Sequence, residues 1–189
     1  MRLFSVLLVS AFPFSAIQAA VIYSEAGDGE ISATATAPTS LGALALGDND
    51  VIGQIGGNSR DYFTFTVGGG LELDAITLVS GSGSNHFFGF DDQNTFNNSG
   101  GFLIGTLFSA GVGESADFLD TFAGGGNFGG SGVTGGSLPA GDYTVLINEV
   151  ALGPFEYHLR LTTATVPEPS SALMLGLGAL GLITVRRRR

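Results

Sequence analysis

The chain has 189 residues and a formal charge of −10, with 31 Gly, two His and no Cys, Trp or Lys. Disulfides, thiolate metal sites, cysteine nucleophiles, a phosphate-loop lysine and Schiff-base chemistry are thereby excluded. The length suffices for one domain with its own core. Charge is unevenly spread. Between Val21 and Val166 only Arg60 and Arg160 face 16 carboxylates, a net of −14. A domain this acidic repels phosphate backbones, so no nucleic-acid partner is expected.

Met1 to Ala20 opens with Arg2, runs through an apolar stretch to Ile17 and closes on the small residues Ala19 and Ala20. This is the layout of a secretory signal peptide, cleaved near Ala19 or Ala20, and it implies the secretion machinery as partner.

From Val21 to Thr165 no long helical period exists. Short β-rich runs alternate with Gly, Asn, Asp and Ser clusters, which predicts an all-β domain of six to eight strands, a jelly-roll-like sandwich. Val21–Tyr23 and Ala43–Leu46 are the weaker candidates. In Asp61–Val67, Phe63, Phe65 and Val67 share one face while Tyr62, Thr64 and Thr66 share the other. Leu73–Val79 is almost wholly apolar and predicts a strand buried on both sides. His86–Phe90 and Gly101–Leu107 follow as short strands. Tyr143–Val150 alternates, and Phe155, Tyr157, Leu159 and Leu161 form the apolar face of the last strand, with Glu156, His158 and Arg160 outside. Ser109–Gly136, with Gly124 to Gly130 at its centre, is expected to be a long flexible loop.

No constellation brings together a nucleophile, a base and an orienting group, so a non-enzymatic protein is expected. Gly124 to Gly129 fits G-x-G-x-x-G but follows no buried strand and opens no helix. His158 is expected solvated, and His86 packed or exposed. Asp48-Asn49-Asp50 and Asp91-Asp92-Gln93-Asn94 are oxygen-rich, so Asp48, Asp50, Asp91 and Asp92 are candidate calcium ligands, against the simpler reading of acidic turns. Two alternatives compete with the non-enzymatic reading. One is a carbohydrate-binding module stacking sugars on Tyr62, Phe87 or Phe88. The other is a secreted hydrolase using clustered Asp.

The C-terminus carries the sharpest signal. Pro167-Glu168-Pro169 precedes the uncharged run Ser170–Val185 and then Arg186, Arg187, Arg188 and Arg189. As a helix the run spans about 24 Å, short of a ~30 Å hydrocarbon core but within reach of arginine snorkelling. The arginines stay cytoplasmic, which puts the domain outside. Pro167 and Pro169 stop the helix from extending backward.

This ordered trio over residues 166–189 resembles the PEP-CTERM sorting signal. The resemblance implies export in a Gram-negative, exopolysaccharide-producing bacterium. It also implies processing by exosortase, an integral membrane cysteine transpeptidase. By position, Pro167, Glu168 and Pro169 would be the recognised triplet, Ser170–Val185 the transient transmembrane anchor and Arg186–Arg189 the stop. The chain would pass through an inner-membrane intermediate to the outer surface or the extracellular matrix, where the resemblance implies biofilm polysaccharide as a partner. The middle domain has a second, patchier likeness. Gly53-Gln54-Ile55-Gly56-Gly57 with Asp61–Val67 resembles the opening turn and strand of the bacterial pre-peptidase C-terminal domain. Leu138–Val145 with Tyr157–Leu159 resembles its closing hairpin. That family implies a small sandwich acting as an accessory module, without catalytic residues.

Overall fold

The computed structural model describes residues 19–56, 59–82, 86–108, 116–134, 136–149 and 155–166. Most of the expected signal peptide, the Pro167–Pro169 triplet, the apolar run and the arginine cluster lie outside the described residues. Among those described, no helix is long and apolar enough to cross a membrane.

Among the described residues nine strands and two single-turn helices follow in chain order. They are β1 (Ala20–Ser24), α1 (Glu25–Asp28), β2 (Thr39–Ala43), β3 (Gly47–Ile55), β4 (Arg60–Val67) and β5 (Leu71–Gly81). Then come β6 (His86–Asp91), β7 (Ile104–Phe108), α2 (Phe118–Thr121), β8 (Gly141–Glu149) and β9 (Phe155–Thr165). They form a four-stranded sheet in the order β1-β3-β9-β5 and a five-stranded sheet in the order β2-β4-β8-β6-β7. The all-β expectation holds, with nine strands rather than six to eight.

Alternation decides what the sheets bury. Phe155, Tyr157, Leu159 and Leu161 of β9 join Val51 and Ile55 of β3 and Ile76 and Leu78 of β5. They meet Phe63 and Phe65 of β4, Phe88 and Phe90 of β6, and Val145 and Ile147 of β8. All are essentially removed from water. Each such side chain contributes about 1.5–3 kcal/mol of transfer free energy. The rings interlock, as in Phe90 stacked on Tyr143 at 5.5 Å and Phe88 edge-on to Phe118 at 4.6 Å.

Several expectations need correcting. β5 is an edge strand, and only Leu73, Ile76 and Leu78 are buried, while Asp74 and Ser80 face water. Its mostly apolar run is broken by register shifts between Leu73 and Ala75 and between Leu78 and Ser80. The expected closing hairpin does not exist, because β8 pairs with β4 and β6 whereas β9 pairs with β3 and β5. The expected strand at Ala43–Leu46 ends at Ala43. Gly53 and Ile55, expected in a turn, belong to β3. Gly53 faces the Tyr157 ring, and a Cβ there would stand 2.4 Å from it.

The largest correction concerns the Gly-rich stretch. Residues 116–134 are built in rather than looped out. Asp117 caps α2 through the Leu119 N–H and also accepts from the Ile76 N–H, both at 3.0 Å, tying α2 to the free edge of β5. Burial raises the pKa of the Asp117 carboxyl, against these N–H bonds, which lower it. Beyond α2 the chain lies along β7. Gly105 N–H donates to Gly125 O at 2.9 Å, Phe128 N–H donates to Gly105 O at 2.9 Å, and Gly132 N–H donates to Leu103 O at 2.9 Å. Backbone approaches this close that only glycine fits. A Cβ on Gly130 would stand 2.2 Å from the Leu103 carbonyl oxygen. The segment thus covers the edge of the five-stranded sheet.

The packing separates two glycines of this segment. Gly124 has open space around it, so Gly124→Ala should be neutral or stabilising by up to about 1 kcal/mol. Gly130→Ala should cost about 1–3 kcal/mol through overpacking against the Leu103 and Gly125 carbonyls. Denaturant titration of the two variants checks this, and equal effects would contradict the built-in segment.

Candidate functional site

The acidic residues singled out in the sequence fall in two separate places. Asp48 and Asp50 sit in β3 on the outer face of the four-stranded sheet, not in a turn. The register of β3 on β9 sets Asp50 opposite Arg160. Arg160 grips Asp50 with two hydrogen bonds, Nε to Oδ1 at 2.8 Å and Nη2 to Oδ2 at 3.0 Å. Its Nη1 lies 3.4 Å from Asp48 Oδ2, and His158 Nε2 lies 3.0 Å from Asp50 Oδ2. Burial alone would raise the Asp50 carboxyl, but hydrogen bonds and charge from Arg160 and His158 outweigh it and hold it below the ordinary range. His158 and Arg160 do lie on the outer face, as expected, but they lie against the carboxylates of β3 rather than standing free in solvent. Asn49 between the two acids points inward, and its amide donates to Ala45 O, Gly47 O and Leu161 O.

Asp91 ends β6 in the other sheet and is fully buried. Its Oδ1 accepts from Asp92 N–H and its Oδ2 from Asn97 N–H, both at 3.0 Å. Burial raises its pKa while these bonds lower it. Asp92 is exposed. The two acidic pairs do not come together. Among the described residues no group of three or more His, Asp or Glu side chains is placed to hold a metal ion. His86 is buried and stacked on Phe155 at 3.6 Å.

One polar tie crosses the interior. Asp61, on the inner face of β4, accepts from the Tyr157 hydroxyl of β9 at 2.7 Å. Burial pushes the Asp61 carboxyl up to about 7, against the lowering effect of Tyr157 and aided by the charges of Glu25 and Glu30. Burial likewise drives the Tyr157 hydroxyl well upward. Sequence alternation places Asp61 inward, yet its pairing with a residue 96 positions away carries no local signal.

The outer face of the five-stranded sheet holds a second apolar cluster of Tyr62, Phe96 and Leu146, with Phe87 and Phe102 packed against it. The connection 92–103 folds over this face. Thr144 donates to Gln93 O at 2.6 Å, Phe96 N–H to Ala35 O at 3.1 Å, and Leu103 N–H to Phe90 O at 2.8 Å. Of the aromatics proposed for sugar stacking, Tyr62 and Phe88 are buried, at 1% and 0% exposure. Phe88 faces the core, and Tyr62 is covered by Phe96. Phe87 alone stays accessible. Phe102 and Phe128, which nothing in the local sequence distinguishes, accompany it. Phe87, Phe96, Phe102 and Leu146 floor a groove of about 260 Å³ rimmed by Arg60, Asn98 and Asn148.

Residues 165–189 match the family model of the PEP-CTERM protein-sorting motif. The chain thus carries the terminal signal of exported proteins sorted by exosortase. No curated protein and no solved structure matches the chain.

Asp61 gives the fold a definite pH signature. Its native pKa lies above the unfolded value of 3.8, so the folded state keeps a proton that the unfolded chain releases. Stability from this group is full below about pH 4 and is lost as pH rises toward about 7. Asp61→Asn keeps an acceptor for Tyr157 and removes the charge. Its melting temperature at about pH 8 should exceed wild type by on the order of 5 °C. The difference should vanish near pH 4, as followed by circular dichroism.

Proposed function

We propose that this is a non-enzymatic, exported β-sandwich protein. Exosortase handles it through residues 166–189 and leaves it on the outer surface, or in the extracellular matrix, of a Gram-negative cell. The observation that carries this reading is the ordered C-terminal trio, Pro167-Glu168-Pro169, Ser170–Val185 and Arg186–Arg189, at the residues where the sorting motif matches. The signal peptide starts export, the uncharged run halts it in the inner membrane, and the arginines hold the C-terminus in the cytoplasm. The triplet is then the extended segment that exosortase meets.

The last strand supports the same reading. β9 pairs through Thr165 with Leu71, and Val166 N–H donates to Gly70 O at 3.0 Å. The ladder ends immediately before Pro167, so a cut near the triplet removes no strand residue. The non-enzymatic part rests on where buried polar groups point. Asp50 closes on Arg160 and His158, Asp61 on Tyr157, and Asp91 and Asp117 on backbone N–H groups. A jelly-roll description belongs to this reading, with an accessory role. Association with extracellular polysaccharide belongs to it as well.

Mass spectrometry of the protein from its native host reads both mature ends. The expected chain begins near Val21 and ends near Pro167–Pro169, without Ser170–Arg189. Replacing Pro167, Glu168 and Pro169 together by Ala should leave the tail attached in the membrane fraction. A wild-type mature chain that retains Ser170–Arg189 would overturn the proposal.

A further inference from the structure

We propose that the groove on the outer face of the five-stranded sheet binds a carboxylated sugar ring. Phe87 and Phe102 would form the stacking surface, Arg60 the carboxylate partner, and Asn98 and Asn148 the hydroxyl partners. The inference is independent of how the tail is processed, because every residue it uses lies in the folded domain.

The first observation is the cost at which the aromatic surface is made. Two strand positions beneath it are glycine. A Cβ on Gly89 would stand 2.6 Å from the Phe96 ring, and one on Gly105 would stand 2.5 Å from the Phe102 ring. The sheet gives up two side chains so that the rings lie directly on it, with Phe96 and Phe102 stacked at 5.6 Å. Phe128, 54% exposed, stands edge-on to Phe87 at 6.0 Å and extends the apolar surface. Phe87 and Phe102 pack against this outer cluster yet stay only partly buried, although the main core is complete without them.

The second observation is charge. Of the two arginines in the domain, Arg160 is neutralised by Asp50 and Asp48. Arg60 makes no ion pair among the described residues, in a domain with 16 carboxylates. Its one side-chain hydrogen bond among the described residues runs from Nη1 to the Tyr62 hydroxyl, at 3.4 Å. A guanidinium with no carboxylate partner among the described residues, beside an apolar floor, matches a carboxylate held on a flat, partly apolar ligand.

The third observation is the set of amides. Asn148 is the cross-strand neighbour of Arg60. Asn98 Oδ1 accepts from the Tyr62 hydroxyl at 3.0 Å, which orients the amide and leaves its NH₂ for a ligand. A pyranose offers an apolar C–H face for the rings and hydroxyls at its edge for such amides. The volume of about 260 Å³ suits one ring rather than an extended ligand. The surrounding charge of −14 disfavours a dense polyanion. The ligand is therefore a glycan with isolated carboxylated rings.

The test is calorimetric titration of the full-length protein in detergent micelles with two trisaccharides, one carrying a glucuronate ring and one its neutral glucose counterpart. The glucuronate sugar should bind about tenfold tighter than the neutral one. Arg60→Gln should bring the two within about twofold at an unchanged melting temperature. Asn148→Asp, which supplies Arg60 with an internal partner, should do the same. Equal wild-type affinity for both sugars, no heat from either, or a preference that survives Arg60→Gln would each overturn the assignment.

Discussion

Strand β9 is the constraint on which the structure depends. It is a central strand of its sheet, hydrogen-bonded to β3 on one side and β5 on the other. Its inner face supplies four large core side chains, and its outer face supplies His158 and Arg160 to the carboxylates of β3. Tyr157 reaches across the interior to Asp61 and so fixes the two sheets relative to one another. Without β9, β3 and β5 lose their shared partner and Asp61 becomes a buried acid with no donor.

Aromatic residues and glycine work as a pair throughout. Tyr157 lies over Gly53, Phe96 over Gly89 and Phe102 over Gly105, each in space a Cβ would fill. This explains how a chain rich in glycine nevertheless holds a dense ring-packed interior. Several glycines that look like loop filler are receptors for rings or for neighbouring backbone. The entropic cost of ordering them is offset by the contacts they permit.

Alternation made much of this legible. The strands at Asp61, Tyr143 and Phe155 declare themselves because each buries one face and exposes the other. β3 is hidden because Gly47-Asp48-Asn49-Asp50 has the composition of a turn. Its strand character comes from Arg160, Thr162 and Leu161 on β9, more than a hundred residues away. The same holds for Gly124 to Gly130, whose order depends on contact with β7 rather than on local propensity. The false hairpin has a related cause, since a turn before a strand says nothing about which sheet that strand joins. Tyr62 lies on the polar side of its strand by pattern, yet Phe96 covers it, and no local period records a loop folding back. At the chain end the reverse applies. The sorting signal is carried by order, charge and hydropathy along the chain, and these need no tertiary partner to be read.

The position of β9 at the end of the domain has a further consequence. A polypeptide threaded outward from its N-terminus delivers β3 and β5 long before the strand that must sit between them. Until Thr165 emerges, two strand edges and one side of the core lack their complement. Any chain broken off upstream of Phe155 can neither close its sheet nor shield Asp61. The native interior is thus completed only by the last strand in sequence, and every earlier strand of that sheet waits on it.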